Sequence, residues 1–226
     1  MRIVGCGGVS RTALPGKQNR TSDEQNRPEK PLIDVGHALA CQENKTFYKR
    51  HLPHWHPEGS VLFVTWRLEG SLPPHIRARM TEETPGQAFR RIDRALDQAA
   101  TGPQWLKDPL IAGTVVNALG LAENRKLHRL SAFVVMPNHV HALLQPLVPL
   151  AKVTHWIKGC TAYEANRILD RKGDAFWQHE SYDHWVRNED EYNRIVRYIE
   201  FNPVSAGLAG SIEEWAWSSA KSNLTS

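Results

Sequence analysis

Two histidines, His139 and His141, are the most chemically informative residues of this chain. They follow Pro137-Asn138, which is turn chemistry, and they open an apolar run, so residues 133–144 predict a β-hairpin. Side chains alternate across a strand, so both imidazoles project from the same face. Two imidazoles on one rigid element form half of a site for a divalent metal ion. The alternative is that one histidine packs and the other is solvated.

A tyrosine and an asparagine, Tyr198 and Asn202, supply a candidate second half of that site. They lie four residues apart in a segment predicted to be helical, so they can point together. A phenol is a nucleophile for phosphoryl chemistry, but its free pKa of about 10 calls for activation. A divalent ion on the scissile phosphate would supply it, and the amide oxygen of Asn202 suits Mg²⁺ or Mn²⁺. The alternative is a core tyrosine and an ordinary helix end before Pro203.

The elements that must position these residues alternate along the chain. Hydrophobic periodicity predicts a strand over residues 60–68, an extended segment over 176–186, and helices over 86–100, 108–124, 150–169 and 188–201. The last helix is predicted to stop at Asn202-Pro203, because proline disfavours helical geometry in its predecessor. Strands and long helices in this order predict an α+β fold, an antiparallel sheet flanked by helices.

Length and composition predict one folded domain with appendages. The 226 residues are 41% hydrophobic, enough for an ordinary core. Residues 1–45 are polar and predicted to be disordered, residues 46–210 form the domain, and residues 211–226 form a C-terminal tail. No apolar run reaches the roughly 18 residues of a membrane span, and residues 1–10 are too short and polar for a signal peptide, so we expect a cytoplasmic protein. The three scattered cysteines favour neither a disulfide framework nor a thiolate zinc site.

Charge is distributed unevenly along the chain. Residues 46–172 contain 17 lysines and arginines against 10 acidic residues, whereas residues 173–226 contain 4 against 9. The basic middle of the chain could bind a polyanion, although many solvated surfaces have a similar balance.

Two motifs are specific: Val-Met-Pro-Asn-His-Val-His at residues 135–141 and Tyr-Ile-Glu-Phe-Asn-Pro-Val-Ser-Ala-Gly-Leu at residues 198–208. Shorter segments accompany them at residues 52–54, 63–68, 158–159, 176–178 and 182–184. In this order and spacing, over residues 50–208, the chain resembles the HUH single-tyrosine transposases of small insertion sequences. Within that superfamily it most resembles the REP-associated tyrosine transposases of bacteria.

The resemblance implies a role for each of four residues. His139 and His141 match the histidines that bind the divalent metal, and Tyr198 matches the nucleophile. Asn202 stands where relatives place a third, amide ligand. The implied fold is the ferredoxin-like or RRM-like HUH fold, a small antiparallel sheet flanked by helices.

The resemblance also implies the reaction and the partners. Relatives cut single-stranded DNA, usually at hairpins or palindromic repeats, and form a 5′-phosphotyrosine link and a free 3′-hydroxyl. Reversal with another 3′-hydroxyl rejoins strands, and no nucleotide is needed because the phosphotyrosine link conserves the bond energy. The implied cofactor is Mg²⁺ or Mn²⁺. Such a protein is expected at the nucleoid. Relatives in the wider superfamily form dimers that share active sites while the REP-associated branch need not, so a monomer and a homodimer both stay open.

Other tyrosines compete for the role of nucleophile. Tyr163 follows the histidines closely, but Arg167 stands at its i+4 position where an amide is expected. Tyr182 is predicted to be a strand aromatic, and Tyr192 lies on the other face of the helix that carries Tyr198.

Several basic and aromatic residues are candidates for DNA contacts. A lysine could meet a phosphate, a basic helix end could follow the backbone, and a tryptophan could stack on a base. The alternatives are a surface lysine, a solvated helix end and a packed strand tryptophan. The candidates are Lys158, Arg167, Arg171, Lys172 and Trp177.

The sequence thus predicts a metal-dependent DNA transposase that cuts and joins strands through Tyr198. Two other classes stay open. One is a sequence-specific DNA-binding protein without catalysis, and the other is a metal-dependent phosphodiester hydrolase in which water attacks.

Overall fold

The structure, a computed structural model, describes residues 45–49, 53–73, 76, 84–98 and 101–222. Apart from Lys45, the predicted N-terminal extension lies outside these residues. The strands are β1 (Lys45–Lys49), β2 (Pro53–Pro57), β3 (Leu62–Arg67), β4 (His128–Val135), β5 (His139–Pro146) and β6 (Tyr182–Trp185). The α-helices are α1 (Pro85–Asp97), α2 (Pro109–Asn124), α3 (Leu150–Ile168), α4 (Glu189–Ser205) and α5 (Ser219–Ser222), with a 3₁₀ turn at Trp105–Lys107.

Four strands form one antiparallel sheet in the order β4-β5-β3-β6, and β1 pairs with β2 in a separate two-stranded sheet. The predicted hairpin is present as β4 and β5, joined at Met136–Asn138. Strand β3 lies beside β5 in a register that pairs Thr65 with His141 and Arg67 with His139. The sheet with its flanking helices confirms the predicted α+β fold.

The sheet is buried on both faces, and its two faces have different partners. Alternate residues of β3 and β5, such as Trp66 and Val140, belong to a core that includes residues of α2 and α3. The other face has a smaller core that includes Phe63 of β3, Met136 and Ile199 of α4. The imidazoles of β5 lie on this second face, which α1 and α4 cover.

Helix α4 does not end where the sequence predicted. It continues through Pro203 to Ser205, and the last turn closes with the Ala206 amide donating to the Asn202 carbonyl over 2.9 Å. Proline removes one donor and disfavours helical geometry before it. Here Asn202 and Pro203 are both buried, and their packing offsets that cost in the final turn. The predicted boundary was therefore wrong by one turn.

The C-terminal segment covers the outer edge of β4. The Val135 amide donates to the Trp217 carbonyl over 2.8 Å, and the Trp215 indole donates to the Val135 carbonyl over 3.0 Å. An uncovered edge strand would expose free backbone groups to other chains. Among the described residues, no helix combines the length and apolar character needed to cross a bilayer.

Candidate metal and tyrosine site

The two histidines of β5 face each other inside the protein. Both are completely buried, and their Nε2 atoms are 3.0 Å apart. The predicted same-face arrangement is therefore present. Phe63 stacks on His141 with ring centroids 5.4 Å apart, which holds that ring in place.

Hydrogen bonds fix how His139 presents its nitrogens. Asn138 donates from Nδ2 to the Leu96 carbonyl over 3.0 Å, so its Oδ1 is the atom left to accept. That oxygen lies 2.7 Å from His139 Nδ1, which must therefore carry the proton. His139 Nε2 then presents a lone pair to the site. A metal-binding histidine is usually oriented in this way by a partner on its other nitrogen.

The second histidine has an equivalent partner. His141 Nδ1 lies 2.8 Å from Thr65 Oγ1, the residue opposite it on β3.

Burial, and then the neighbouring His141, hold the pKa of His139 well below its usual value. His139 is therefore neutral at neutral pH, the form that binds metal ions.

Helix α1 brings two carboxylates to the histidines. Asp93 Oδ1 lies 3.1 Å from His141 Nε2, and Asp97 Oδ1 lies 3.8 Å from His139 Nε2. The helix begins after Thr84, whose backbone amide donates to the Gln87 side chain over 3.1 Å. Its Phe89 stacks on Tyr182 with ring centroids 4.4 Å apart, which fixes the helix against the sheet.

Neither carboxylate was predicted from the sequence. A signal was present, because Asp93 lies four residues after Phe89 on the apolar stripe of α1, a position where a charged side chain is out of place. Asp93 is 6% exposed. Almost complete burial of an aspartate requires a compensating partner.

The Tyr198 side chain belongs to the same constellation. Its hydroxyl donates to Asp93 Oδ2, and its ring lies 5.6 Å from the His141 ring and 5.9 Å from the Phe63 ring, centroid to centroid. The structure therefore places the Tyr198 ring beside His141 and its hydroxyl on Asp93, while the role of Tyr198 as nucleophile stays a prediction.

The competing tyrosines lie elsewhere or are disfavoured. Tyr163 is 70% exposed on α3 and contacts none of the site residues in the described structure. Burial, and then the Asp183 carboxylate, raise the pKa of Tyr182 to about 12. A phenol that resists ionisation is a weak nucleophile.

Asn202 lies on the same helix as Tyr198 and is buried. Its Oδ1 receives no hydrogen bond from the described residues. The structure gives no contact between Asn202 and either histidine, so its role as a ligand stays a prediction. A buried amide oxygen without a donor is nevertheless available to a cation.

These residues fit a divalent metal ion. Donor atoms of Asp93, His139 and His141 all lie within 4.8 Å of one another. The lone pair of His139 Nε2 faces His141 Nε2 over 3.0 Å, and among the described residues only His141 Nε2, 3.1 Å away, could donate to buried Asp93 Oδ1. A cation between these atoms would satisfy all of them.

Asp97 has an unusual electrostatic position. Burial, and then the Asp93 carboxylate, raise the pKa of Asp97 to about 7, while His141 acts in the opposite direction. Between its unfolded value near 4 and about 7, the folded state binds the extra proton. The free energy of unfolding of the metal-free protein therefore falls as pH rises through this window.

Asp97→Asn should therefore stabilise the metal-free protein at pH 8. We expect the free energy of unfolding to rise by about 1–3 kcal/mol, less than the full pKa shift implies because Asp97 is partly solvated. The gain should shrink towards pH 4. Urea unfolding in EDTA at several pH values measures it, with exposed Asp190→Asn as the control. A gain that is independent of pH would contradict this account of Asp97.

Lys158 fastens one protein segment to another. Its Nζ donates to the Gln178 carbonyl over 2.6 Å, to the His179 carbonyl over 2.8 Å and to Ser181 Oγ over 3.4 Å. These bonds tie α3 to the segment that leads into β6. The Lys158 ammonium group thus has a structural role. The sequence suggested either a phosphate contact or a solvated surface lysine, and neither includes this role.

Lys158→Ala should therefore destabilise the fold. We expect a loss of about 2–3 kcal/mol in the free energy of unfolding, since bonds from a charged donor are worth more than neutral ones. The matched control is Lys152→Ala, at an exposed position of the same helix. Equal stability of the two variants in chemical denaturation would contradict the structural role.

The remaining DNA-contact candidates lie in different surroundings. Trp177 is 7% exposed, and its indole donates to Thr161 Oγ1 over 2.8 Å, which favours packing over base stacking. Arg171 lies over the Trp105 ring at 3.9 Å and pairs with Asp174. Arg167 pairs with Glu164 over 2.9 Å, and Lys172 is exposed. None of these candidates contacts the histidine site in the described structure.

Comparison with solved structures gives, among others, two likenesses. One is to a REP-associated tyrosine transposase bound to a REP hairpin, with a TM-score of 0.49 and 18% identity, covering 79% of this chain and 84% of the other. The second is to a provisionally assigned transposase from Deinococcus radiodurans, with a TM-score of 0.37 and 18% identity, covering 69% and 96% of the two chains.

Sequence comparison gives a related protein and a family model that matches part of the chain. A provisionally named REP-associated tyrosine transposase of Haemophilus influenzae is 26% identical over 102 residues, which are 39% of this chain and 56% of the relative. The match thus spans little more than half of that relative's length. The family model described as "Transposase IS200 like" matches residues 104–202, the segment that contains both histidines, Tyr198 and Asn202. The resemblance seen in the motifs is confirmed, and residues 104–202 carry the signature of the IS200-like transposase family.

Proposed function

We propose that this chain cuts and rejoins single-stranded DNA through a covalent bond to Tyr198, and that its DNA is a hairpin or palindromic repeat. One observation carries the proposal: the Tyr198 hydroxyl and His141 Nε2 both contact the Asp93 carboxylate, and His139 Nε2 lies 3.0 Å from His141 Nε2. The match to a transposase family supports the reaction class. The name of the Haemophilus relative supports the repeat DNA.

Each residue then has a defined part. His139 and His141, held by Asn138 and Thr65, would bind a divalent ion together with Asp93. When bound, an Mg²⁺ or Mn²⁺ ion would polarise the scissile phosphate and offset the charge that develops there. The Asp93 hydrogen bond orients the Tyr198 oxygen, which is the attacking atom.

The covalent step balances without another reactant. Tyr198 Oη forms a bond to phosphorus, and the bond between phosphorus and O3′ of the preceding nucleotide breaks. The phenolic proton leaves Tyr198, and the departing O3′ gains one to become a free hydroxyl. When another 3′-hydroxyl attacks the phosphotyrosine, the strand is rejoined and Tyr198 recovers its proton.

Asn202 would assist from the same helix. It lies one turn after Tyr198, and its buried Oδ1 has no hydrogen-bond donor among the described residues. We propose it as a further oxygen ligand on the tyrosine side of the ion. Ion binding would then also fix the helix that carries the nucleophile.

The assay that tests the function uses a 5′-labelled single-stranded hairpin from repeats of the source genome. With Mn²⁺ we expect a nick, a protein–DNA adduct that survives denaturation, and rejoining to an added 3′-hydroxyl strand. EDTA should abolish all three. Nicking without an adduct would identify a phosphodiester hydrolase, and retarded migration of intact DNA without nicking would identify a DNA-binding protein.

One chain should be sufficient for catalysis. Tyr198 lies beside His141 of its own chain, so a mixture of His141→Ala and Tyr198→Phe proteins should form no adduct. Adduct formation by the mixture would show that the site is shared between two protomers. We place the activity at the nucleoid, where its DNA would be found.

A further inference from the structure

Helix α1 carries two aspartates toward the histidine pair, and the second has no assigned role. Asp93 and Asp97 are four residues apart, so both project from the same side of α1. Each approaches a different histidine, Asp93 the ring of His141 and Asp97 the ring of His139. Helix α1 and strand β5 therefore each contribute two side chains that could bind a metal ion.

The spacing of these atoms is that of neighbouring ligands around one ion. Ligands about 2.1 Å from an ion lie about 3.0 Å apart in an octahedral arrangement and about 3.4 Å apart in a tetrahedral one. The two Nε2 atoms are 3.0 Å apart, and His141 Nε2 is 3.1 Å from Asp93 Oδ1. His139 Nε2 is 3.8 Å from Asp97 Oδ1, so a small movement of that side chain completes the set.

The carboxylate oxygens that face the site have few possible donors. Oδ1 of Asp97 is buried and accepts no hydrogen bond within the described structure, and Oδ1 of Asp93 is buried with His141 Nε2 as its one described neighbour that could donate. The Asp93 side chain is 8% exposed and the histidine side chains 0%, so water does not take the place of a partner there. The Asp97 side chain is 23% exposed, but its Oδ1 atom is buried. Two buried carboxylate oxygens pointing at buried imidazole nitrogens are costly unless a cation lies between them.

We propose that Asp97 is a further protein ligand of the ion, in addition to His139, His141, Asp93 and the Asn202 amide proposed above. The inference rests on the metal site of the proposed function. Two imidazoles and two carboxylates suit a divalent transition ion such as Mn²⁺, Co²⁺ or Zn²⁺ better than Mg²⁺, which prefers oxygen and retains its waters. The ion would then join α1 to β5.

The ligand set also links the ion to the nucleophile. Oδ1 of Asp93 faces His141 and the proposed ion, and its Oδ2 accepts a hydrogen bond from the Tyr198 hydroxyl. Because Asp97 lies one turn further along α1, its bond to the ion would hold the helix, and with it Asp93, in this position. Loss of Asp97 should therefore weaken ion binding and leave the nucleophile less well oriented.

The test measures ion binding to the full chain without DNA. Mn²⁺ is titrated and followed by the electron paramagnetic resonance of the free ion, for the wild type, Asp97→Asn, Asn202→Ala and a His139→Ala/His141→Ala double variant. We expect Asp97→Asn to weaken Mn²⁺ binding by about 10- to 100-fold, and the double variant to lose it. The control Asp190→Asn, the same change at an exposed site, should bind as the wild type does.

The outcomes separate this inference from the proposed function. Equal Mn²⁺ affinity of the wild type and Asp97→Asn would overturn the role of Asp97, while loss of binding in the double variant would leave the metal site standing. Wild-type affinity in the double variant would remove the site itself. Since Asp97→Asn should be more stable without metal, thermal unfolding in EDTA confirms that weaker binding does not reflect misfolding. A Co²⁺ spectrum unchanged by Asp97→Asn would also count against Asp97 as a ligand.

Discussion

Tyr198→Phe is expected to eliminate the covalent protein–DNA adduct while leaving DNA binding intact. Phenylalanine keeps the ring that packs against Phe63 and His141 but lacks the oxygen that attacks phosphorus. Strand cleavage should fall by about 10³-fold or more, as expected for loss of a nucleophile. A denaturing gel measures the adduct, and a mobility-shift assay of the same preparation measures binding.

The matched control is Tyr163→Phe, which removes a hydroxyl from an exposed ring on α3. Its adduct yield should equal that of the wild type. The assignment would be contradicted by an adduct that persists in Tyr198→Phe and disappears in Tyr163→Phe.

Replacing either histidine of β5 has the second largest expected effect. His139→Ala and His141→Ala each remove one of the two converging Nε2 atoms, so the affinity for Mn²⁺ and the rate of cleavage should each fall by about 100-fold or more. Cleavage assayed across a range of Mn²⁺ concentrations separates lost affinity from lost turnover. The wild type in EDTA should behave as the variants do.

His155→Ala provides the comparison, because His155 is an exposed histidine on α3. This variant should keep both the ion and the activity. Metal-dependent cleavage that survives in both His139→Ala and His141→Ala, with the fold retained, would exclude β5 as the metal-binding element.

The sequence was sufficient for features that local chemistry determines. The turn at Pro137-Asn138 and the apolar residues around it specify a hairpin, and strand alternation then places His139 and His141 on one face. The pairing of the Tyr198 helix with that face followed from the family motifs rather than from periodicity. The structure brings these elements together in one chain.

Long-range packing explains what the sequence did not show. The weak helical preference of the residue before a proline predicted that α4 stops at Asn202-Pro203. In the structure Asn202 and Pro203 are buried, and the helix continues to Ser205. Lysine is usually a surface residue, but the Lys158 ammonium group donates hydrogen bonds to three oxygens of residues 178–181. Neither the packing around Asn202 and Pro203 nor the oxygens around Lys158 can be predicted from the local sequence, because the contacting residues are distant along the chain.

The carboxylates of α1 illustrate the same limit. Asp93 and Asp97 precede the histidines by more than forty residues, and their spacing is common on solvated helices. Contacts between residues distant in sequence, such as the packing of Phe89 against Phe63 and Tyr182, turn this face of α1 toward β5. A charged residue within an apolar stripe was the one local sign that Asp93 is buried.

The central claim, that Tyr198 becomes covalently bound to DNA, is tested most directly by mapping the adduct of the unmodified protein. Wild-type protein is incubated with the hairpin and Mn²⁺, digested with nuclease and protease, and examined by tandem mass spectrometry. We expect a nucleotide attached through a 5′-phosphate to the peptide that contains Tyr198. Attachment to Tyr163 or Tyr182, or cleaved DNA with no nucleotide on any tyrosine, would contradict it.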